Sequence, residues 1–109
     1  AAASAVRTGE VTTAVKDAKA KPGAIKTGQV IGIADHEIEV VGETVEDVTL
    51  RLIDFLADSA ETLTVLAGED LSDDELAHIA EAAQTAHPDL EVETHRGEQP
   101  LYPVILALE

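Results

Sequence analysis

The 109-residue sequence carries 22 acidic against 7 basic side chains, a formal charge of −15, and its length suits one small domain. So negative a surface disfavours phosphate backbones and anionic lipid headgroups, and the absence of cysteine removes disulfides, thiolate metal sites and cysteine nucleophiles. No basic, apolar leader opens the chain and no charge-free stretch reaches membrane-spanning length; the expectation is a cytoplasmic module. Without methionine and with an Ala1-Ala2-Ala3 start, it reads as a fragment of a larger protein.

Val6 to Val15 is rich in Val and Thr, a composition that packs well on a pleated surface and predicts a strand. Lys19 to Gly23 reads as a turn, with Pro22 fixing φ and Gly23 permitting a positive one. Val30–Ile33 and Glu37–Val41 predict a hairpin around Asp35-His36. From Thr44 the apolar residues Val45, Val48, Leu52, Phe55 and Leu56 recur at helical steps, and Thr44 with Asp47 approximates a capping box. Thr62–Leu66 alternates as a strand ending at Gly68. Ser72 with Glu75 caps a second helix whose inner face is Leu76, Ile79, Ala80 and Ala83 and whose stop is Pro88. Leu90–Thr94 alternates as a half-buried strand, and Tyr102–Leu108 is apolar enough for a buried one.

A strand over 62–67, a helix over 72–86 and a strand over 90–95 have the length of a βαβ crossover, which makes the two strands parallel. The fold class is therefore α/β, or a two-layer α+β sandwich, with a mixed sheet, helices on one face and short strands leading in. The mostly β segment 1–42 and the α/β segment 43–109 are expected to pack as one domain. With 45% hydrophobic but only 2% aromatic residues, the core is expected to be aliphatic around Phe55 and Tyr102. Charge is unevenly distributed: residues 1–34 sum to +3 and residues 35–109 to −18.

Reactive constellations are sparse. Gly23 to Val30 has the glycine spacing of a phosphate-binding loop, but Gln29 and Val30 replace the lysine and hydroxyl that such a loop needs, so a turn between strands is the reading. Glu69, Asp70, Asp73, Asp74 and Glu75 suit a helix start, where the macrodipole favours anions, better than a calcium loop. His36, His78 and His87 read as solvent-facing or structural, and no two histidines have zinc spacing. His95 is the exception, placed at the end of a parallel strand where α/β folds position ligands. Ser4, Ser59 and Ser72 lack the setting of an activated nucleophile.

Two groups of segments resemble a known family. One is Gly9-Glu10-Val11-Thr12-Thr13-Ala14-Val15-Lys16-Asp17 with Ile25 to Ile33. The other is Glu61 to Asp70 with Gly97-Glu98-Gln99-Pro100-Leu101-Tyr102 and the terminal Glu109. Together they resemble the C-terminal region of the dihydroxyacetone-kinase-like (DAK2-domain fusion) ATP-binding subunit of bacterial fatty acid kinase. The sequence departs from that pattern at Glu98, where the family shows a second glycine, and at Val104, where it often has an aromatic.

The resemblance implies a kinase domain upstream that binds ATP and magnesium, and a C-terminal region that docks a DegV-type fatty-acid-binding protein. No cofactor, metal or catalytic residue is then expected in this chain. Arg96, Gly97, Gln99, Pro100 and Tyr102 are the candidate docking residues, because Arg and Tyr dominate interface hot spots and a Gly- and Pro-restrained loop loses little entropy on binding. Two other expectations stand beside this: a small-molecule or phosphoryl carrier domain that uses His95, and a dimerisation module of the kinase subunit.

Overall fold

A computed structural model describes residues 6–109; residues 1–5, with the alanine-rich opening and Ser4, lie outside the described residues. The elements are β1 (Arg7–Thr13), β2 (Ala18–Ala20), β3 (Gly23–Ile25), β4 (Val30–Ala34), β5 (Glu37–Gly42), α1 (Val45–Leu56), β6 (Thr62–Ala67), α2 (Asp73–Ala86), β7 (Glu91–Arg96) and β8 (Val104–Leu108). Local chemistry accounts for most boundaries. Asp35 and His36 both take positive φ, 50° and 71°, as a two-residue turn matched to strand twist requires. Thr44 accepts from the Asp47 amide at 3.1 Å, and Ser72 and Glu75 form a complete capping box at the start of α2.

Six strands form one sheet in the order β5-β4-β1-β8-β6-β7, and β2 pairs with β3 apart from it. All neighbours in the large sheet are antiparallel except β6 and β7, the parallel pair that α2 connects. The mixed α/β architecture and the βαβ crossover are thus as the spacing predicts. β1 lies between β4 and β8, so the first and last strands of the chain are joined at the centre of the sheet.

Both helices cover one face. α1 packs across β1, β4, β5 and β8, while α2 packs on β7 and α1. The main core joins Val48, Leu52, Ile53 and Leu56 of α1 and Leu76, Ile79 and Ala83 of α2 to Val11, Val40, Leu63, Val65, Val104, Leu106 and Leu108 of the sheet. A smaller cluster of Ala14, Ile25 and Ile31, with Ile33, Ile38 and Val41 packed against it, occupies the other face beneath the β2–β3 arm.

Two expectations are corrected. Phe55 is 45% exposed and has the Arg7 guanidinium 5.5 Å from its ring centroid, while Tyr102 is only half-buried. The core therefore contains no aromatic side chain: Phe55 lies at the edge of the stripe centred on Leu52 and Leu56, and Ile53 takes the buried place. Lys19 to Gly23 is more than a turn. It contains the last two residues of β2 and the first of β3, with Lys21-Pro22 as the link and Gly23 at φ 124°. Strands of three residues carry too little alternation to register as strands in a sequence.

Candidate functional site

The end of β7 and the loop before β8 are held by one cation. The Arg96 guanidinium donates to the carbonyls of Leu71 at 2.6 Å and Gly68 at 3.1 Å. It also pairs with Glu98 at 2.6 Å and Asp73 at 3.2 Å. The Glu98 carboxylate, first among these partners, raises the Arg96 pKa against the opposing effect of burial. Main-chain bonds complete the clamp: Gly97 and Glu98 amides donate to the Ala67 carbonyl at 2.9 and 3.0 Å, Gly68 N–H donates to Pro103 at 2.7 Å, and Glu69 N–H donates to Gln99 at 3.1 Å. The Gln99 side-chain amide donates to the Leu66 carbonyl at 3.1 Å.

This clamp explains a glycine. A Cβ on Gly68 would collide with the Tyr102 carbonyl oxygen and stand 2.8 Å from that of Gln99, so only glycine lets the 68–71 loop lie against the 99–103 strap. The strap Pro100-Leu101-Tyr102-Pro103 is fixed on its other side by Thr12, whose hydroxyl donates to the Leu101 carbonyl at 2.9 Å.

Between the strap and the β2–β3 arm runs an open, predominantly apolar groove of about 590 Å³. Ile25, Ile31 and Ile38 supply aliphatic lining, Pro100, Leu101 and Tyr102 contribute from the strap, Val15, Lys16 and Ala18 from the foot of the arm, and Asp70 is the one acid among the lining residues. Val15 and Leu101, at 88% and 73% exposure, are the most solvent-exposed large apolar side chains of the described residues. An exposed apolar surface of this kind marks contact with another molecule rather than chemistry.

The expected site residues therefore divide. Arg96, Gly97 and Gln99 are engaged in holding the loop, whereas Pro100 and Tyr102 line the groove. His95 stands apart on the edge strand β7, exposed and in register with Leu66. His78 and His87 join the helices instead, through Glu46 at 2.5 Å and Asp54 at 2.7 Å. Among the described residues no group of three or more His, Asp or Glu side chains converges as metal ligands would, and no helix is long and apolar enough to cross a membrane. Sequence reasoning missed Val15, Lys16, Leu101 and Gly68; the available signal was a leucine stranded between two prolines beside a predicted strand.

Comparison with known proteins gives this arrangement a lineage. The chain matches, over residues 1–109, the FakA-like C-terminal family, whose name denotes the C-terminal part of a fatty acid kinase subunit. It is 38% identical over 106 residues to an uncharacterized protein of Staphylococcus haemolyticus. It is 33% identical over 105 residues to one of Staphylococcus aureus and 32% over 105 to one of Staphylococcus epidermidis. In each case 95% of this chain is covered and 19% of the relative, so the chain spans about a fifth of the length of these relatives. With its whole described fold inside that match, the chain belongs to the FakA-like C-terminal family of fatty acid kinase subunits.

Proposed function

We propose that this domain acts in the cytoplasm as the non-catalytic docking module of a fatty acid kinase subunit, with ATP and magnesium bound in a kinase domain elsewhere in the polypeptide. Its partner in this reading is a DegV-type protein that carries the fatty acid. The observation that supports docking is the strap at 100–103. It is braced from behind by the Gly68 amide, which donates to the Pro103 carbonyl from a loop that Arg96 holds, and it offers Leu101 and Tyr102 to an open apolar groove. A braced loop keeps its bound shape before contact, so less ordering entropy opposes association.

In this division of labour Arg96, Gly97 and Gln99 set the loop, and Pro100, Leu101 and Tyr102 meet the partner. Calorimetric titration of the chain with a DegV-type protein from the same organism tests it. Saturable binding is expected, weakened by about tenfold or more, the loss of one hot spot, in the double variant Leu101→Ser with Tyr102→Ala. Thermal stability should change little because neither side chain belongs to the core. No heat of binding at low salt, or hydrolysis of ATP by the chain alone, would overturn the proposal.

A further inference from the structure

All four lysines of the chain, Lys16, Lys19, Lys21 and Lys26, fall within eleven consecutive residues on or beside the β2–β3 arm. In a chain of charge −15 this arm is a local cationic surface, and one of its lysines, Lys16, lines the groove together with Leu101 and Tyr102. Lys21 is committed to Glu37 at 2.6 Å and Glu39 at 2.8 Å. Lys16, Lys19 and Lys26 make no ion pair among the described residues. The two most exposed large apolar side chains among the described residues, Val15 and Leu101, both line this groove. The groove thus combines an aliphatic lining with one free lysine, Lys16, and one acid, Asp70, while Lys19 and Lys26 extend the positive charge along the adjoining arm.

We propose that the groove receives an extended segment of a partner protein in which aliphatic side chains are accompanied by carboxylates, the carboxylates lying along the lysine arm. This rests on the docking reading only for the assignment of the groove to a protein. It adds the chemistry of the segment. The groove is open to solvent rather than enclosed, which suits a chain that lies across the surface. A free fatty carboxylate has one charge to offer and needs an enclosing sleeve to hide its tail. Charge complementarity of this kind sets orientation and association rate as well as affinity.

The test uses the 109-residue chain and two labelled peptides about ten residues long, near the footprint of a linear motif. One alternates leucine with aspartate and the other leucine with lysine, and fluorescence anisotropy is read at about 50 mM salt, where screening is moderate. The acidic peptide is expected to bind about tenfold or more tightly than the basic one. The double variant Lys16→Glu with Lys19→Glu, and separately Leu101→Ser, should each lower its affinity about tenfold with unchanged circular dichroism. Equal or tighter binding of the basic peptide, binding of neither, or saturation by sodium laurate without competition by the acidic peptide would each overturn the proposal. A DegV-type protein that binds the chain and is indifferent to the lysine reversal removes this inference and leaves the docking reading standing. Tight, lysine-dependent binding of the acidic peptide with no affinity for a DegV-type protein does the opposite.

Discussion

The Arg96 guanidinium reaches two carbonyls, those of Leu71 and Gly68, that belong to the loop between β6 and α2, while its Nε holds Glu98 in the loop after β7. A forked, planar cation is suited to this because its donors diverge at fixed angles, and lysine has no equivalent. Arg96→Ala strips the part-buried Leu71 carbonyl of its side-chain donor, the costly half of a broken hydrogen bond, while the Gly68 carbonyl keeps the Leu71 amide at 3.1 Å. We predict that its urea midpoint falls further than that of Ser72→Ala, which removes one cap and costs about 1 kcal/mol, and that Arg96→Lys recovers only a minor part. An Arg96→Ala midpoint equal to wild type would show that the main-chain bonds alone hold the loop. The opposite sign is expected at Thr49, which is fully buried with Oγ1 lacking any partner. Thr49→Val keeps the shape and drops the desolvated hydroxyl, so a gain of about 1 kcal/mol is expected; a lower melting temperature would mean that the hydroxyl is satisfied in solution.

Among the elements, the β2–β3 arm has the fewest ties to the body. Asp17 accepts from the Thr27 amide and hydroxyl at 2.8 and 2.9 Å, closing the arm at its base, and Lys21 binds Glu37 and Glu39 of β5 near its tip. The Thr27 amide, then its hydroxyl, lower the Asp17 pKa from its ordinary 3.8. Glu37 first, then Glu39, raise that of Lys21. The signs differ in consequence. The Asp17 contribution is complete above its unfolded value and disappears as pH falls through the lowered folded value; the Lys21 contribution is complete below its unfolded value and disappears only as pH rises through the raised one. Both ties therefore operate at neutral pH. Hydrogen-exchange protection of the Thr27 amide should fall as acidification passes below 3.8, and Asp17→Asn should flatten that dependence; protection independent of pH in both proteins would rule the tie out. Why this arm escaped a sequence reading is physical. The caps at Thr44 and Ser72, the Asp35-His36 turn and the βαβ spacing are written in adjacent residues, so they were legible. The arm's strands are too short for a period, and Arg96 finds its carbonyls 25 and 28 residues away. The groove likewise is assembled from segments around residues 12–18, 25–38 and 100–103 together with Asp70, which no local pattern relates.

On the scale of the whole molecule the charge is divided between a lysine arm and a body in which residues 35–109 hold 20 of the 22 acids. Such a body repels itself in the compact state. Among the ion pairs that oppose this repulsion, Arg7 with Asp35, Arg51 with Asp47, Lys21 with Glu37 and Arg96 with Asp73 and Glu98 each have at least one well-exposed partner, and Glu39 beside Lys21 is the more buried exception; exposed pairs contribute little. Salt shortens the range of both effects, from about 10 Å at 0.1 M to about 3 Å at 1 M. It removes more repulsion than attraction here, because the acids outnumber the bases about threefold. At the groove the balance is inverted, since the interaction there joins lysines to a partner's carboxylates. One variable should thus move two observables in opposite directions: from low to about 0.5 M sodium chloride, the melting temperature rises while affinity for the acidic peptide falls. Chloride rather than sulfate is the salt to use, because sulfate strengthens apolar burial by exclusion and would raise stability for an unrelated reason. A melting temperature that falls with salt would show that the ion pairs outweigh the repulsion, and an affinity that rises with it would place the binding energy in the apolar lining alone.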